Sequence, residues 1–285
     1  MKKLLFQLDT DPHPAVFDTV VAYDGGADHV IGHGGCTPQN VRGLVEGAIF
    51  TRAPKEKKFT ALFVGGSDMA AGAALFKAVQ KVFFADFRVS VMLDSNGSNT
   101  TAAAAIARLA GSGPLAGQRA VVLAGTGPVG QRAAVMLSRE GASVAITSRD
   151  GSRADNCCKE IKARFGVDIE PISAASNDDR GRAIEKANVV FATGSAGVSL
   201  LDEAHWKDNT SLRLIADANA TPPIGITGTD MMDRGKERHG KIVWGAIGFG
   251  TLKLALHRAC VANLFESNNL VLDAEEIFAL AKSMA

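Results

Sequence analysis

Tyrosine is all but missing from this chain: Tyr23 is the single instance in 285 residues. The residue four places on is Ala27, so no Tyr–Lys pair at helical spacing can form. Four cysteines occur, Cys36, Cys157, Cys158 and Cys260, and none belongs to a CxxC pair. That argues against a structural zinc site and a disulfide framework, and reduced thiols of a cytoplasmic protein are expected. Charge of one sign is also lacking. Thirty-one Lys plus Arg against 30 Asp plus Glu leaves +1, so no nucleic-acid partner is expected. No apolar stretch approaches the roughly 18 residues of a spanning helix, so no membrane partner is expected. The apolar run after Met1 stops at Asp9 and Asp11, well short of a signal peptide's core. Six histidines, at positions 13, 29, 33, 205, 239 and 257, show no metal-ligand spacing, and HExxH and GxSxG are absent. No metal is expected.

What is present is an ordinary globular balance, 46% hydrophobic and 21% charged, in a chain long enough for two domains. Short apolar runs at Lys3–Leu8, His29–Gly32, Thr60–Val64 and Arg88–Leu93 read as strands. They alternate with helical patterns at Val16–Tyr23, from Thr37 (N-cap) and Pro38 (first helical residue), at Asp68–Val82 and at Asn99–Ala110. Such β-α alternation implies a parallel sheet covered by helices. Gly111-Ser112-Gly113-Pro114 breaks the pattern. Further strands are expected at Arg119–Ala124, Ser143–Thr147, Asn188–Ala192, Leu212–Ala216 and Lys241–Trp244, then helices at Thr251–Phe265 and Ala274–Lys282. The expected division is residues 1–111 with 250–285 as one α/β domain and 112–249 as a second. A C-terminal helix returns to the first.

The second domain opens with a β-branched strand followed directly by Gly125-Thr126-Gly127-Pro128-Val129-Gly130 and a helical pattern. A GxGxxG in that context is the dinucleotide fingerprint of a Rossmann-type domain. Gly125 allows the tight turn, Gly127 lets the backbone approach a pyrophosphate, and Gly130 lets helix and strand pack closely. The helix start supplies N–H groups to the anion. The next strand ends Thr147-Ser148-Arg149, with no carboxylate where an NAD site carries one. Arg149, with Ser148 beside it and Arg153 as a second cation, is placed to meet a 2′-phosphate. NADP is therefore the expected cofactor, with NAD the weaker alternative.

Acid–base chemistry is sparse. Asp9 and Asp11 lie at a strand end and read as a solvated turn. Arg52, Lys55, Lys57 and Lys58 read as a solvated loop, the alternative being contact with an acidic substrate tail. Lys253 and His257, four apart, share one helix face just after the last strand of the cofactor domain. Spacing alone leaves open an exposed lysine and a buried histidine. Phe17 and Thr101 read as core and helix residues by default.

Several segments carry a resemblance: Phe6-Gln7-Leu8-Asp9-Thr10-Asp11, Tyr23-Asp24-Gly25-Gly26-Ala27-Asp28-His29, Phe63-Val64-Gly65-Gly66, Leu93 through Thr101, Leu123 through Gly130, and Leu252 through Cys260. Together they resemble the NADP-dependent methylene-tetrahydromethanopterin dehydrogenases of methylotrophic bacteria, over essentially the whole chain. The resemblance implies activity on methylene-tetrahydrofolate as well, a homotrimer, and an active-site crevice between the domains to which a neighbouring subunit contributes. It also implies active-site roles for Phe17, Thr101, Lys253 and His257. Related folate enzymes pair a Tyr with a Lys for a cyclohydrolase step, and Tyr23 lacks that partner, so little cyclohydrolase activity is expected. Two other readings stay open at this point: a shikimate- or amino-acid-type NADP dehydrogenase using a Lys–Asp pair, and a non-catalytic NADP(H)-responsive binding protein.

Overall fold

Parallel sheets buried on both faces need strands that are apolar throughout rather than alternating. Thr60–Gly65 meets that requirement, all six residues being buried. In the computed structural model, which describes residues 1–285, it is β3 of a five-stranded sheet with β1 (Leu4–Asp9), β2 (His29–His33), β4 (Ser90–Leu93) and β12 (Val271–Leu272). The order is β12-β4-β3-β1-β2 and every pairing is parallel. Helices α1 (Val16–Asp24), α2 (Arg42–Phe50) and α3 (Met69–Val82) make the crossovers. One face packs Leu8, Leu62, Val64 and Val91 against Val45, Ile49, Leu75 and Val79.

The second sheet holds β5 (Arg119–Leu123), β6 (Ser143–Ser148), β7 (Glu170–Ser173), β8 (Val189–Ala192), β9 (Leu214–Asp217), β10 (Arg234–Arg238) and β11 (Lys241–Trp244). Its order is β10-β11-β9-β8-β5-β6-β7, parallel except for the β10–β11 hairpin. With α5 (Pro128–Arg139), α6 (Gly151–Phe165) and α7 (Asn177–Ile184), this is the doubly wound dinucleotide-binding arrangement, in which β5 and β8 flank the point where the winding reverses. Its core includes Val121, Ile184, Val190, Trp206, Ile215 and Val243.

The chain divides into two compact units, Met1–Thr100 with Leu254–Leu280, and Thr101–Lys253 with Ala281–Ala285. The divisions fall inside three helices, α4 (Ser98–Ser112), α8 (Ala246–Asn263) and α9 (Ala274–Met284). The second half of α8 packs in the first unit. A Cβ on Gly25, just past α1, would lie 2.7 Å from Val261 Cβ and 3.0 Å from the Arg258 carbonyl. No helix is long and apolar enough to cross a membrane.

Local physics explains the departures from expectation. Thr37 and Pro38 do not start a helix. They form a turn closed by Asn40, whose side chain accepts from Thr37 N at 2.8 Å, and α2 begins at Arg42. The Gly111-Ser112 pair does not break α4 either, because the helix runs to Ser112, whose hydroxyl donates to the Arg108 carbonyl at 2.7 Å. The basic run is not wholly solvated. Lys57 is 1% exposed, with Nζ donating to the Asp86 carbonyl at 3.0 Å and lying 3.8 Å from the centre of the Phe87 ring. Asp9 is likewise fully buried.

Helix α3 starts where a side chain replaces the missing backbone acceptors: Asp68 accepts from Ala70 N at 2.7 Å and Ala71 N at 2.9 Å. Asp68→Ala is expected to cost about 1 kcal/mol, the usual worth of such a cap. The urea midpoint followed by far-ultraviolet circular dichroism measures it, and an unshifted midpoint would count against the cap.

Candidate cofactor and substrate sites

The glycine turn folds as its residue types require. Ala124, with φ +53°, donates its N–H to Thr147 Oγ1 at 3.0 Å, and Gly125 N donates to the Thr147 carbonyl at 3.0 Å. The turn is thereby pinned to the end of β6. A Cβ on Gly125 would sit 2.8 Å from Ile146 Cβ, and one on Gly130 would sit 2.6 Å from Gly125 Cα, so neither position has room for a side chain. Gly127 differs: nothing lies within 4 Å of where its Cβ would be. Pro128 occupies the first helical position of α5, where its missing N–H costs nothing. The open side of Gly127 therefore faces a helix start whose N–H groups are available to an anion.

That side belongs to a cavity of about 390 Å³ lined by Ala124, Thr126 and Gly127 after β5, by Thr147, Ser148, Arg149 and Arg153 around the end of β6, by Ala174 and Ala175 after β7, and by Thr193, Gly194 and Ser195 after β8. It lies at the carboxyl ends of the strands, where such sheets take their ligands. Its mixture of small walls and cations fits a phosphate-bearing nucleotide.

The β6 end decides what the cavity offers a ribose. Asp150, the nearest carboxylate in sequence, is turned onto α6: its Oδ1 accepts from Ser152 N at 2.9 Å and Arg153 N at 3.3 Å. Ser148 is buried and its hydroxyl accepts from Asp150 N at 3.2 Å. Arg149 and Arg153 are exposed. A third guanidinium, Arg180 in α7, also lines the cavity and was not singled out from the sequence. It lies in the polar run Asn177-Asp178-Asp179-Arg180, and its only sequence signal is its place in the first turn after β7. The neighbouring thiols are inert: burial pushes Cys157 up to about 12 and Cys158 up to about 11.

In the first unit, carboxylates shape the loops at the carboxyl ends of β1 and β4, and one ties the β1 loop to the β3 loop. Asp9 accepts from Asp11 N at 2.9 Å and Ala15 N at 3.1 Å, which fixes the approach to α1 and so sets Phe17 in its first turn. Asp11 accepts from Ser67 N and Oγ at 3.0 and 2.9 Å. Asp94 accepts from Asn99 N at 2.8 Å and from the Thr100 hydroxyl at 2.6 Å, anchoring the start of α4 just ahead of the half-buried Thr101. Phe17 is 48% exposed. Its ring lies 6.3 Å from that of His257, which in turn stacks on buried Phe63 at 5.5 Å and 20°. The structure thus brings Phe17 and His257 together. His257 is only 1% exposed, while Lys253, one turn earlier on α8, is half-buried.

Comparison with known proteins agrees over the full chain. A family described as "Methylene-tetrahydromethanopterin dehydrogenase, N-terminal" matches residues 16–96. "Bifunctional protein MdtA" of Methylorubrum extorquens is 54% identical over 286 residues, covering 100% of this chain and 99% of that protein. The "NAD(P)-dependent methylenetetrahydromethanopterin dehydrogenase" of the same organism is 30% identical over 294 residues, with 100% and 99% covered. Among solved structures, Corynebacterium glutamicum quinate dehydrogenase in complex with NAD aligns with a TM-score of 0.54 at 15% identity, covering 99% of each chain. Methylenetetrahydrofolate dehydrogenase-cyclohydrolase of Trypanosoma brucei, complexed with NADP and an inhibitor, aligns at 0.50 and 13%, covering 93% of this chain and 86% of that one. At such identities the structures speak for the fold alone, whereas the full-length sequence identities decide membership. The chain belongs to the methylene-tetrahydromethanopterin dehydrogenase family.

Proposed function

We propose that this protein reversibly oxidises methylene-tetrahydromethanopterin, and methylene-tetrahydrofolate, to the methenyl form with NADP, as a cytoplasmic homotrimer. The substrate class rests on the full-length identity to the NAD(P)-dependent methylenetetrahydromethanopterin dehydrogenase. The preference for NADP rests on one observation: Asp150 caps α6, while the cavity wall carries Arg149 and Arg153 and no carboxylate. A ribose diol finds no carboxylate there, and a 2′-phosphate finds donors in a fork geometry.

Bound NADP supplies the hydride acceptor. Residues 112–249 would hold it through Gly125, Thr126, Gly127, Pro128, Val129 and Gly130 at the pyrophosphate and through Ser148, Arg149 and Arg153 at the 2′-phosphate. The pterin falls to residues 1–111 with 250–285. Loss of hydride from a carbon held between two nitrogens leaves a resonance-stabilised cation, and no proton is removed. The protein therefore needs no general base. Its work is to hold the carbon against the nicotinamide and to exclude water. Phe17 offers its exposed face to the flat ring system. His257, buried between Phe17 and Phe63, acts as the support that fixes the Phe17 ring. Lys253 and Thr101 orient the polar edge of the pterin.

The test is formation of reduced nicotinamide with each methylene pterin, with NADP and NAD in parallel. Turnover with NADP on either pterin supports the reading. Binding of NADP without turnover on either would leave a binding protein. Arg149→Ala is expected to raise KM for NADP by about tenfold, the worth of one charge-assisted contact, and to leave KM for NAD nearly unchanged. Equal changes for both cofactors would remove Arg149 from the 2′-phosphate site.

A further inference from the structure

Of the three guanidinium groups lining the cofactor cavity, only Arg180 is held in place by the protein. Arg149 and Arg153 are exposed, and Arg180 is half-buried. Arg180 Nε donates to the Leu200 carbonyl, and Nη1 donates to the carbonyls of Ala174 and Ala175 at 3.4 and 3.3 Å. Ala174 and Ala175 follow β7, and Leu200 lies in the segment after β8, so the fork spans two walls of the cavity. Those bonds occupy Nε and Nη1 and leave Nη2 for a ligand.

The charge balance of the cavity is incomplete. Burial works against the Arg180 charge, and so does the Arg149 guanidinium beside it, with Asp179 and Asp202 giving partial support. Asp179 is itself engaged by Ser176 N at 2.8 Å, by the Ser176 hydroxyl at 2.7 Å and by Arg182. No Asp or Glu lines the cavity. Cations gathered without a carboxylate, one of them already immobilised on backbone carbonyls, make a site for a dianion.

We infer that Arg180 is a specificity-determining residue for NADP: its fixed guanidinium meets the 2′-phosphate, and the exposed Arg149 and Arg153 close over it. The inference rests on the NADP reading above. A side chain ordered before binding loses less freedom on contact than one recruited from solvent, so Arg180 carries the larger share of the discrimination.

Calorimetric titration of the full-length protein with 2′,5′-ADP and with 5′-AMP tests this without any turnover. The wild type should bind 2′,5′-ADP the more tightly. Arg180→Gln should weaken 2′,5′-ADP by about tenfold or more and leave 5′-AMP within about twofold. Arg180→Lys keeps the charge without the fork and should show a smaller loss, again confined to 2′,5′-ADP. It carries the test should the glutamine variant fail to fold. Equal losses on both nucleotides would mark Arg180 as a structural tie, and no loss would mark it as a bystander. Either result overturns the inference alone. A wild type that does not prefer 2′,5′-ADP would overturn the NADP reading together with it.

Discussion

Lys253→Ala is expected to lower kcat/KM for the pterin by about a hundredfold while leaving NADP affinity within about twofold. The size follows from the role the chemistry allows. The step develops positive charge on the reacting carbon, and an ammonium about 4 Å away would oppose it by roughly 4 kcal/mol at an effective dielectric of 20. Lys253 therefore cannot sit over that carbon. It can donate to an oxygen elsewhere on the pterin, where one charge-assisted hydrogen bond fixes the ring, and a misplaced ring is costly in rate. Lys253 is half-buried, and His257, one turn later on α8, is held against Phe63 and Phe17. The helix is thus anchored where the lysine leaves it. Arginine at this position should restore part of the activity and methionine none. Steady-state kinetics on both pterins, with NADP binding measured separately, checks the split. Kinetics like the wild type in Lys253→Ala would remove the residue from the site.

The fold was legible wherever burial and turn chemistry agree. The strand Thr60–Gly65 declares itself through its unbroken buried run, and the β5–α5 turn through its three glycines. What could not be read has a common physical cause. The inner face of α6 is only Ala154, Cys157, Cys158 and Ile161, set among charged residues, so no apolar stripe stands out. Strand β7 is an edge with no fully buried residue, and α7 begins Asn177-Asp178-Asp179. Arg180 lies in that stretch, and its role depends on carbonyls at 174, 175 and 200, which no local pattern brings together. Lys57 illustrates the converse. Charged residues read as solvated when the partner that allows their burial is a backbone group distant in sequence, as the Asp86 carbonyl is for Lys57. Position 150 was legible only as a carboxylate after Arg149, and its turn onto the α6 start is a matter of capping geometry.

Two alanine substitutions in one glycine motif should fail in different ways. At Gly127 the backbone is extended, with φ −79° and ψ 172°, and nothing lies within 4 Å of a new Cβ. Gly127→Ala should therefore fold with wild-type stability. The added methyl stands in the open cradle over the start of α5, where a pyrophosphate must approach the backbone, so NADP affinity should fall by about ten- to a hundredfold. At Gly130 the new Cβ would meet Gly125 Cα at 2.6 Å, the Gly125 carbonyl at 2.7 Å and Thr193 Oγ1 at 2.7 Å. Two of those atoms are backbone and cannot swing aside. Relief requires α5 to move away from the turn, at about 1–3 kcal/mol or more. That movement would also strain the Gly125 bond to the Thr147 carbonyl and the Thr193 bond to the Leu123 carbonyl, each 3.0 Å long. Gly130→Ala should thus lose stability and cofactor binding together. Thermal unfolding of each variant with and without NADP separates the cases. For Gly127→Ala the apo midpoint should match the wild type and the NADP-induced rise should shrink, because a ligand stabilises only as far as it binds. For Gly130→Ala the apo midpoint itself should drop. An unchanged NADP-induced rise in Gly127→Ala would mean that no phosphate lies against this turn.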